Sequence, residues 1–286
     1  MGIWCGGPWR VEERAAEAAE VAAEAEELGY GALWLSGGQK PGVSPLFKGL
    51  LDATSRVVVA SGIISIWRAG PAEVAQAAAD LRAAHPGRFL LGLGVSHADP
   101  VQASGQSYVR PYSRMVHYLN ELDSQQPTVP SDQRVLAALG PRMLALSAAR
   151  AAGAHPYFVP VEHTARAREA LGTGPLLAPE QAVVLETDPA RAREIARSYA
   201  TSFYLRAPNY ANNLRRLGFG DADLGGGGSD RLVDAVVAWG DAGAIARRVR
   251  EHHQAGADHV CVQVLTATPD AFPRAEYRAL AEALLA

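Results

Sequence analysis

Residues 56–97 read RVVVASGIISIWRAGPAEVAQAAADLRAAHPGRFLLGLGVSH, two apolar stretches joined without slack by one Ala-rich stretch. Residues 57–66 are β-branched and apolar almost throughout, as a strand buried on both faces must be, and Gly62 interrupts them where a bulge or a close backbone approach would sit. Pro71 opens a helix that turns Ala72, Ala75, Ala78, Ala79 and Leu81 toward the sheet. After the His85-Pro86-Gly87 turn, residues 89–95 form the next strand, whose carboxyl end carries Gly92, Gly94, Ser96 and His97. Two parallel strands joined by one helix are the unit from which α/β enzymes build ligand sites at strand ends.

The same alternation runs along the chain. Strands are expected at residues 1–5, 30–35, 57–66, 89–95, 134–139, 155–159, 176–185 and 259–265, with the seventh irregular because of Pro179. Helices are expected at residues 11–28, 46–54, 71–84, from Pro111 onward, 142–152, 162–171, 231–239 and 241–255. A long helical region, residues 189–217, takes the place of a short crossover after strand seven, and the glycines of residues 225–228 form a flexible joint before Ser229-Asp230. Eight strands each followed by helix predict an α/β fold, a single (β/α)8 TIM barrel domain over residues 1–286, with an open doubly wound sheet as the alternative. In a barrel the active site lies at the carboxyl ends of the strands.

Composition narrows the function. A net charge of -3 and a pI near 6.2 argue against nucleic acid or an anionic membrane as partner and leave a small-molecule substrate. Cys5 and Cys261 form no CxxC pair and read as reduced thiols, with one long-range disulfide as the alternative. With no leader and no long apolar run, the expected location is the cytoplasm. No metal set is expected, since His252 and His253 are adjacent and no HExxH accompanies them. GxSxG and GxxxxGK[ST] are also missing, which lowers hydrolase and kinase readings.

Three places suit a ligand. Gly140-Pro141-Arg142-Met143 follows a strand and opens a helix, so the backbone N–H groups of Gly140, Arg142 and Met143 suit a phosphate, the alternative being an ordinary turn. Gly92 and Gly94 leave room for a planar ring, to which Ser96 and His97 would donate hydrogen bonds; a structural loop histidine is the alternative. His163 stands at another helix start, either as a contact to a cofactor tail or beside a simple acidic cap by Glu162.

In order along the chain, LGYGALW at 28–34, GRFLLGLGVSH at 87–97, Arg110-Pro111 with Tyr118-Leu119, AALGPRM at 137–143, GAHPY at 153–157, residues 160–168, PNYANNL at 208–214 and GADHVCV at 256–262 resemble the luciferase-like monooxygenase superfamily. Within it they are similar to the F420-dependent LLM class oxidoreductase subgroup. The resemblance implies a (β/α)8 barrel that transfers a hydride between coenzyme F420 and a small organic substrate. An FMN-dependent monooxygenase and a cofactor-free barrel acting as a binding or subunit protein are the rivals. It also implies a non-prolyl cis peptide at Gly62-Ile63 behind the cofactor ring, ring contacts from Ser96 and His97, and phosphate contacts from Leu139, Gly140, Pro141, Arg142 and Met143. A homodimer through residues 11–28 and 71–84 is implied as well. One departure stands out: relatives carry an acidic residue at the end of strand two, where this chain has Leu35-Ser36-Gly37-Gly38-Gln39. Either another residue supplies the missing proton, with His97, Tyr112 and His117 as candidates, or the reaction differs.

Overall fold

The structure, a computed structural model, describes residues 1–37 and 43–285. Its strands are β1 (Gly2–Cys5), β2 (Ala32–Leu35), β3 (Val58–Ser61), β4 (Ile64–Ser65), β5 (Phe89–Gly94), β6 (Arg134–Leu136), β7 (Gly153–Ala154), β8 (Leu176–Leu177), β9 (Glu180–Val184), β10 (Val237–Trp239) and β11 (Cys261–Val264). Every pairing is parallel, running from β1 through β2, β3, β5, β6 and β7 to β8. β8 and β9 are two halves of one extended stretch broken at Pro179, and β9 pairs with β11, which returns to β1. The ladder therefore comes back to its start, as a parallel sheet must when helices cover its outer face.

The helices that cover the wall are placed by simple periodicity. α1 (Ala15–Glu27) buries Ala18, Val21, Ala22 and Ala25, and α3 (Pro71–Ala84) buries Val74, Ala75, Ala78 and Leu81, small faces that let helix and strand approach closely. α2 (Leu46–Asp52) is closed by the Arg88 guanidinium, which donates to the carbonyls of Leu51 at 3.2 Å and Thr54 at 2.7 Å. α4 (Ala98–Ala103), α5 (Pro111–Asp123), α6 (Pro141–Arg150) and α7 (Val161–Leu171) follow. The chain from β9 to β10 contains α8 (Pro189–Tyr199), a π-helical turn (Ala200–Tyr204), α9 (Pro208–Arg216), α10 (Asp221–Leu224) and α11 (Asp230–Val236). α12 (Ala242–Gln254) and α13 (Arg274–Leu284) complete the order. No described helix is long and apolar enough to cross a membrane.

Inside the ring, Trp4, Ala32, Trp34, Ala60, Val135, Ala178 and Cys261 pack together. Two indoles fit there because their neighbours are alanines. Cys5 and Cys261 are both buried and unbridged.

Several expectations need correction. The sixth strand is Gly153–Ala154 and not residues 155–159, because Pro156 and Pro160 bring no N–H to a ladder and Phe158 takes a left-handed φ of 53°. The helix expected over residues 231–239 ends at Val236, and Val237–Trp239 pairs with β9 from Val237↔Ala182 to Trp239↔Val184. That edge of β9 is vacant because the neighbouring ladder, which reaches Glu180 through Pro156, ends there. The loop after His97 includes α4. The glycine run is a turn tied down by Asp223, whose carboxylate accepts from Ser229 Oγ at 2.7 Å and from Arg231 Nη2 at 2.6 Å. Gly92 and Gly94 serve the neighbouring strand rather than a ring. A Cβ on Gly92 would collide with the Ser61 carbonyl, and one on Gly94 would lie 2.5 Å from Ile63 Cδ1.

Candidate functional site

The strand ends open into a cavity of about 560 Å³. Val95, Ala137, Ala138, Leu139 and Met143 form apolar walls, while Arg10 and Arg68 reach its mouth. Its floor is Trp4, His155 and Tyr157, and one side is the Gly62–Ile63 segment, whose peptide bond is cis. Ser36, Ser96, His97 and Asn209 add polar groups. Gly38 and Gln39 of the strand-two end lie outside the described residues.

His97 enters the cavity from the end of β5. Its Nδ1 lies 3.0 Å from Asn209 Oδ1, and its ring packs against Phe203 and Tyr210 at centroid distances of 4.8 and 5.2 Å. Burial lowers its pKa against the opposing pull of Asn209 and Asp99. With a carbonyl oxygen at Nδ1, that nitrogen holds the proton and Nε2 is an acceptor, so His97 is poorly suited to donate a proton at neutral pH. Ser96 carries a left-handed φ of 55°, which turns the chain at the rim, and its carbonyl accepts from Tyr108 Oη at 3.2 Å.

The start of α6 is divided between cavity and surroundings. Leu139, Gly140 and Met143 line the cavity. Pro141 and Arg142 do not; the Arg142 guanidinium lies 4.1 Å from the centre of the Tyr112 ring. His163 is buried behind this turn, where its Nε2 donates to the Leu139 carbonyl at 3.0 Å, so it positions the turn and does not face the cavity. Of the three proton-donor candidates, only His97 lines the cavity. α5 buries Met115, Tyr118, Leu119 and Leu122 against the barrel, which leaves His117 on the outer face, 62 % exposed and 3.4 Å from Glu121. Tyr112 is held under Arg142 instead.

The sequence leaves Tyr199, Phe203, Tyr204 and Tyr210 of residues 191–217 open between helix packing and a cover over the pocket, and the structure joins them with Tyr157 and Phe158 in one aromatic cluster. Tyr157 Oη donates to Gln263 Oε1 at 2.7 Å and lies 2.9 Å from Tyr199 Oη and 3.0 Å from Tyr204 Oη. Tyr204 and Tyr210 come from the helices after β9 and roof the cavity, and Phe158 stacks on Tyr204 at 4.8 Å. Below them Glu180 is buried, and desolvation pushes its carboxyl up to about 8 against one hydrogen bond from the Phe158 N–H, so it is largely protonated at neutral pH. Arg216 Nη2 is the nearest group to the open side of Gly140, 3.8 Å from where a Cβ would sit. The order of strands marked each segment as a candidate, but only the fold shows which side chains meet. Among the described residues no cluster of His, Cys, Asp and Glu could hold a metal.

A cavity at the carboxyl ends of a parallel barrel, walled by apolar side chains beside the Gly62–Ile63 segment, invites comparison with known barrels. Residues 3–124 match the luciferase-like monooxygenase family. No curated protein sequence matches the chain. Among solved structures, the barrel is similar to the coenzyme F420-dependent tetrahydromethanopterin reductase of Methanopyrus kandleri. The TM-score is 0.76 at 15% identity, over 100% of this chain and 98% of that one. An F420-dependent secondary alcohol dehydrogenase in complex with an F420–acetone adduct gives 0.69 at 17% identity, over 94% of each chain. The oxygenating constituent of 3,6-diketocamphane monooxygenase from the CAM plasmid of Pseudomonas putida, in complex with FMN, gives 0.69 at 15% identity, over 98% of this chain and 95% of that one. At these identities the likeness is one of fold: an α/β barrel.

Proposed function

We propose that this chain is an oxidoreductase that binds coenzyme F420 and transfers a hydride between it and a small organic substrate. The observation that carries the reading is the cavity itself, whose apolar walls suit a planar ring and whose lining includes Arg10 for an anionic tail. The start of α6 supports it. Of the three expected donors, the Met143 N–H is taken by the Gly140 carbonyl at 3.1 Å, which leaves those of Gly140 and Arg142 for a phosphate, and Arg216 lies on the open side of Gly140. Two of the similar folds bear F420 in their names.

When bound, the deazaflavin supplies the two-electron chemistry, and the chain supplies position and exclusion of water. Ile63, Val95 and Met143 would hold the ring apolar. Asn209 fixes the His97 imidazole with its acceptor nitrogen free. Tyr204 and Tyr210 would cover the ring from the side of the helices after β9.

The test is a binding titration of the purified protein with F420 and, separately, with FMN, followed by cofactor fluorescence. F420 is expected to bind at least about tenfold tighter, a difference of ~1.4 kcal/mol. Tighter binding of FMN would move the protein to the flavin monooxygenases. Binding of neither would leave a barrel without a redox cofactor.

A further inference from the structure

Glu180 opens β9 and is 1 % exposed beneath the aromatic cluster. Its carboxyl makes one bond, Oε2 accepting from the Phe158 N–H at 3.1 Å, while Oε1 is enclosed without a partner among the described residues. The groups that feel its charge are the hydroxyls of Tyr157, Tyr199, Tyr204 and Tyr210 and the Cys261 thiol. No arginine, lysine or histidine among the described residues pairs with it.

What the one bond holds is the Phe158 backbone. Phe158 takes a left-handed φ of 53°, a conformation that a residue other than glycine keeps only where its surroundings fix it. Its ring is the base of the cluster: Tyr204 stacks on it at 4.8 Å and 20°, and Tyr210 and Tyr199 meet it edge-on at 5.6 and 5.8 Å. Tyr204 and Tyr210 line the cavity, and Phe158 does not. The hydroxyl hydrogens of the cluster are already committed. Gln263 Oε1 can only accept, so the Tyr157 hydrogen lies on it and those of Tyr199 and Tyr204 turn to Tyr157. A protonated Glu180 fits this arrangement, because Oε2 accepts and the acid hydrogen leaves Oε1 uncharged. An ionised one does not. Its Oε1 becomes a buried charged acceptor, and a donor reaches it only if a tyrosine leaves the network or water enters.

We propose that Glu180, acting through Phe158, positions Tyr204 and Tyr210 against the cavity, and that loss of its proton releases them. It is a positioning residue, since it does not itself line the cavity. Ligand retention in the cavity then falls in mild alkali. This adds a regulation to the site proposed above and rests on that reading only for the name of the ligand.

The protein without cofactor, with 13C in the side chains of Glu, Phe and Tyr, is titrated by NMR from about pH 6 to 9.5, below the range in which tyrosines ionise. The Glu180 carboxyl should titrate at about 8, where burial pushes it, and the ring signals of Phe158, Tyr204 and Tyr210 should shift on the same curve. In Glu180→Gln, which keeps the size and the acceptor for the Phe158 N–H but cannot ionise, the rings should stay in place. About one pH unit above the midpoint only a tenth of the wild-type molecules keep the tyrosines positioned, so F420, or FMN if that is the cofactor, should bind about tenfold more weakly than to Glu180→Gln. Near pH 6.5 the two proteins should bind it equally. Rings that stay put while the carboxyl ionises, or that move alike in Glu180→Gln, overturn the proposal. So does a carboxyl already ionised at pH 6, or a cofactor affinity with the same pH dependence in both proteins. If Glu180→Gln does not fold, the wild-type curves decide, and a ring midpoint that differs from the carboxyl midpoint sinks the idea. Binding of neither cofactor would overturn the reading of function, and the ring titration would still decide the role of Glu180.

Discussion

Two buried histidines, on opposite sides of the β9 wall, show how the same residue type serves different ends. Outside the barrel, His252 is fully enclosed and fully partnered: its Nδ1 meets Thr164 Oγ1 at 2.8 Å and its Nε2 meets Gln181 Oε1 at 2.7 Å. Gln181 Nε2 in turn donates to the Ala182 and Val236 carbonyls, at 2.7 and 3.2 Å. This network joins α7, α12 and β9. Inside the barrel, His155 spends one nitrogen on Ala178 and leaves the other facing the cavity. The first ring ties three elements together; the second lines the cavity.

The comparison predicts unequal costs. His252→Leu removes two buried bonds and strands the Thr164 hydroxyl and the Gln181 carbonyl, so it should cost about 3 kcal/mol in urea unfolding. His155→Phe keeps the stack on Trp34 and strands only one carbonyl, and should cost about 1 kcal/mol. Equal losses in the two variants would break the distinction between them.

Acid should not tell them apart. Desolvation lowers the pKa of His252 to about 3, helped by Arg248, His253 and His163, and that of His155 to about 4. Both lie below the unfolded value of about 6.5. Above pH 6.5 neither ring is charged in either state and the full stability is present. Below it the unfolded chain takes up protons that the folded one refuses, so stability falls as pH drops toward 4. Each histidine contributes a slope of about 1.4 kcal/mol per pH unit at most. Either substitution should flatten the decline between pH 6 and 4.5 by a similar amount, as read from urea midpoints. A flattening in only one variant would mean that the other ring is protonated in the folded state.

What the sequence disclosed follows the same division. Residues 57–66 and 89–95 were legible because continuous apolar runs bounded by proline and glycine admit little but buried strands. Val237–Trp239 was not: LVDAVVAW fits a helical period as well as a strand, and only the vacant edge of β9 decides it. Ser96, His97 and the Leu139–Gly140 turn could be placed at the cavity from strand order alone. Tyr112 and His117 were misplaced because the buried face of α5 is set by its contact with the barrel. Trp4 and His155 stand 151 positions apart, and although GAHPY at 153–157 holds the histidine, no spacing ties it to Trp4. Their significance lies in a count of hydrogen-bond partners, which no residue type announces.

The smallest effect on folding is expected at Gly140, and it contrasts with Gly62 in the same cavity. A methyl on Gly62 would press on Trp4 Nε1 and His155 Nε2, whereas the open side of Gly140 meets only the far end of the Arg216 side chain at 3.8 Å. Gly140 is extended, with φ −92° and ψ 157°, a conformation any residue adopts. Gly140→Val should therefore change stability by less than about 0.5 kcal/mol. If a cofactor phosphate approaches the backbone there, the two added methyls stand in its path and F420 affinity should fall about tenfold. Gly62→Ala should instead spare that contact and cost more stability, because its methyl presses on two buried rings. Unchanged F420 affinity in Gly140→Val, with folding intact, would move the phosphate away from the start of α6 and toward Arg10 and Arg68 at the mouth.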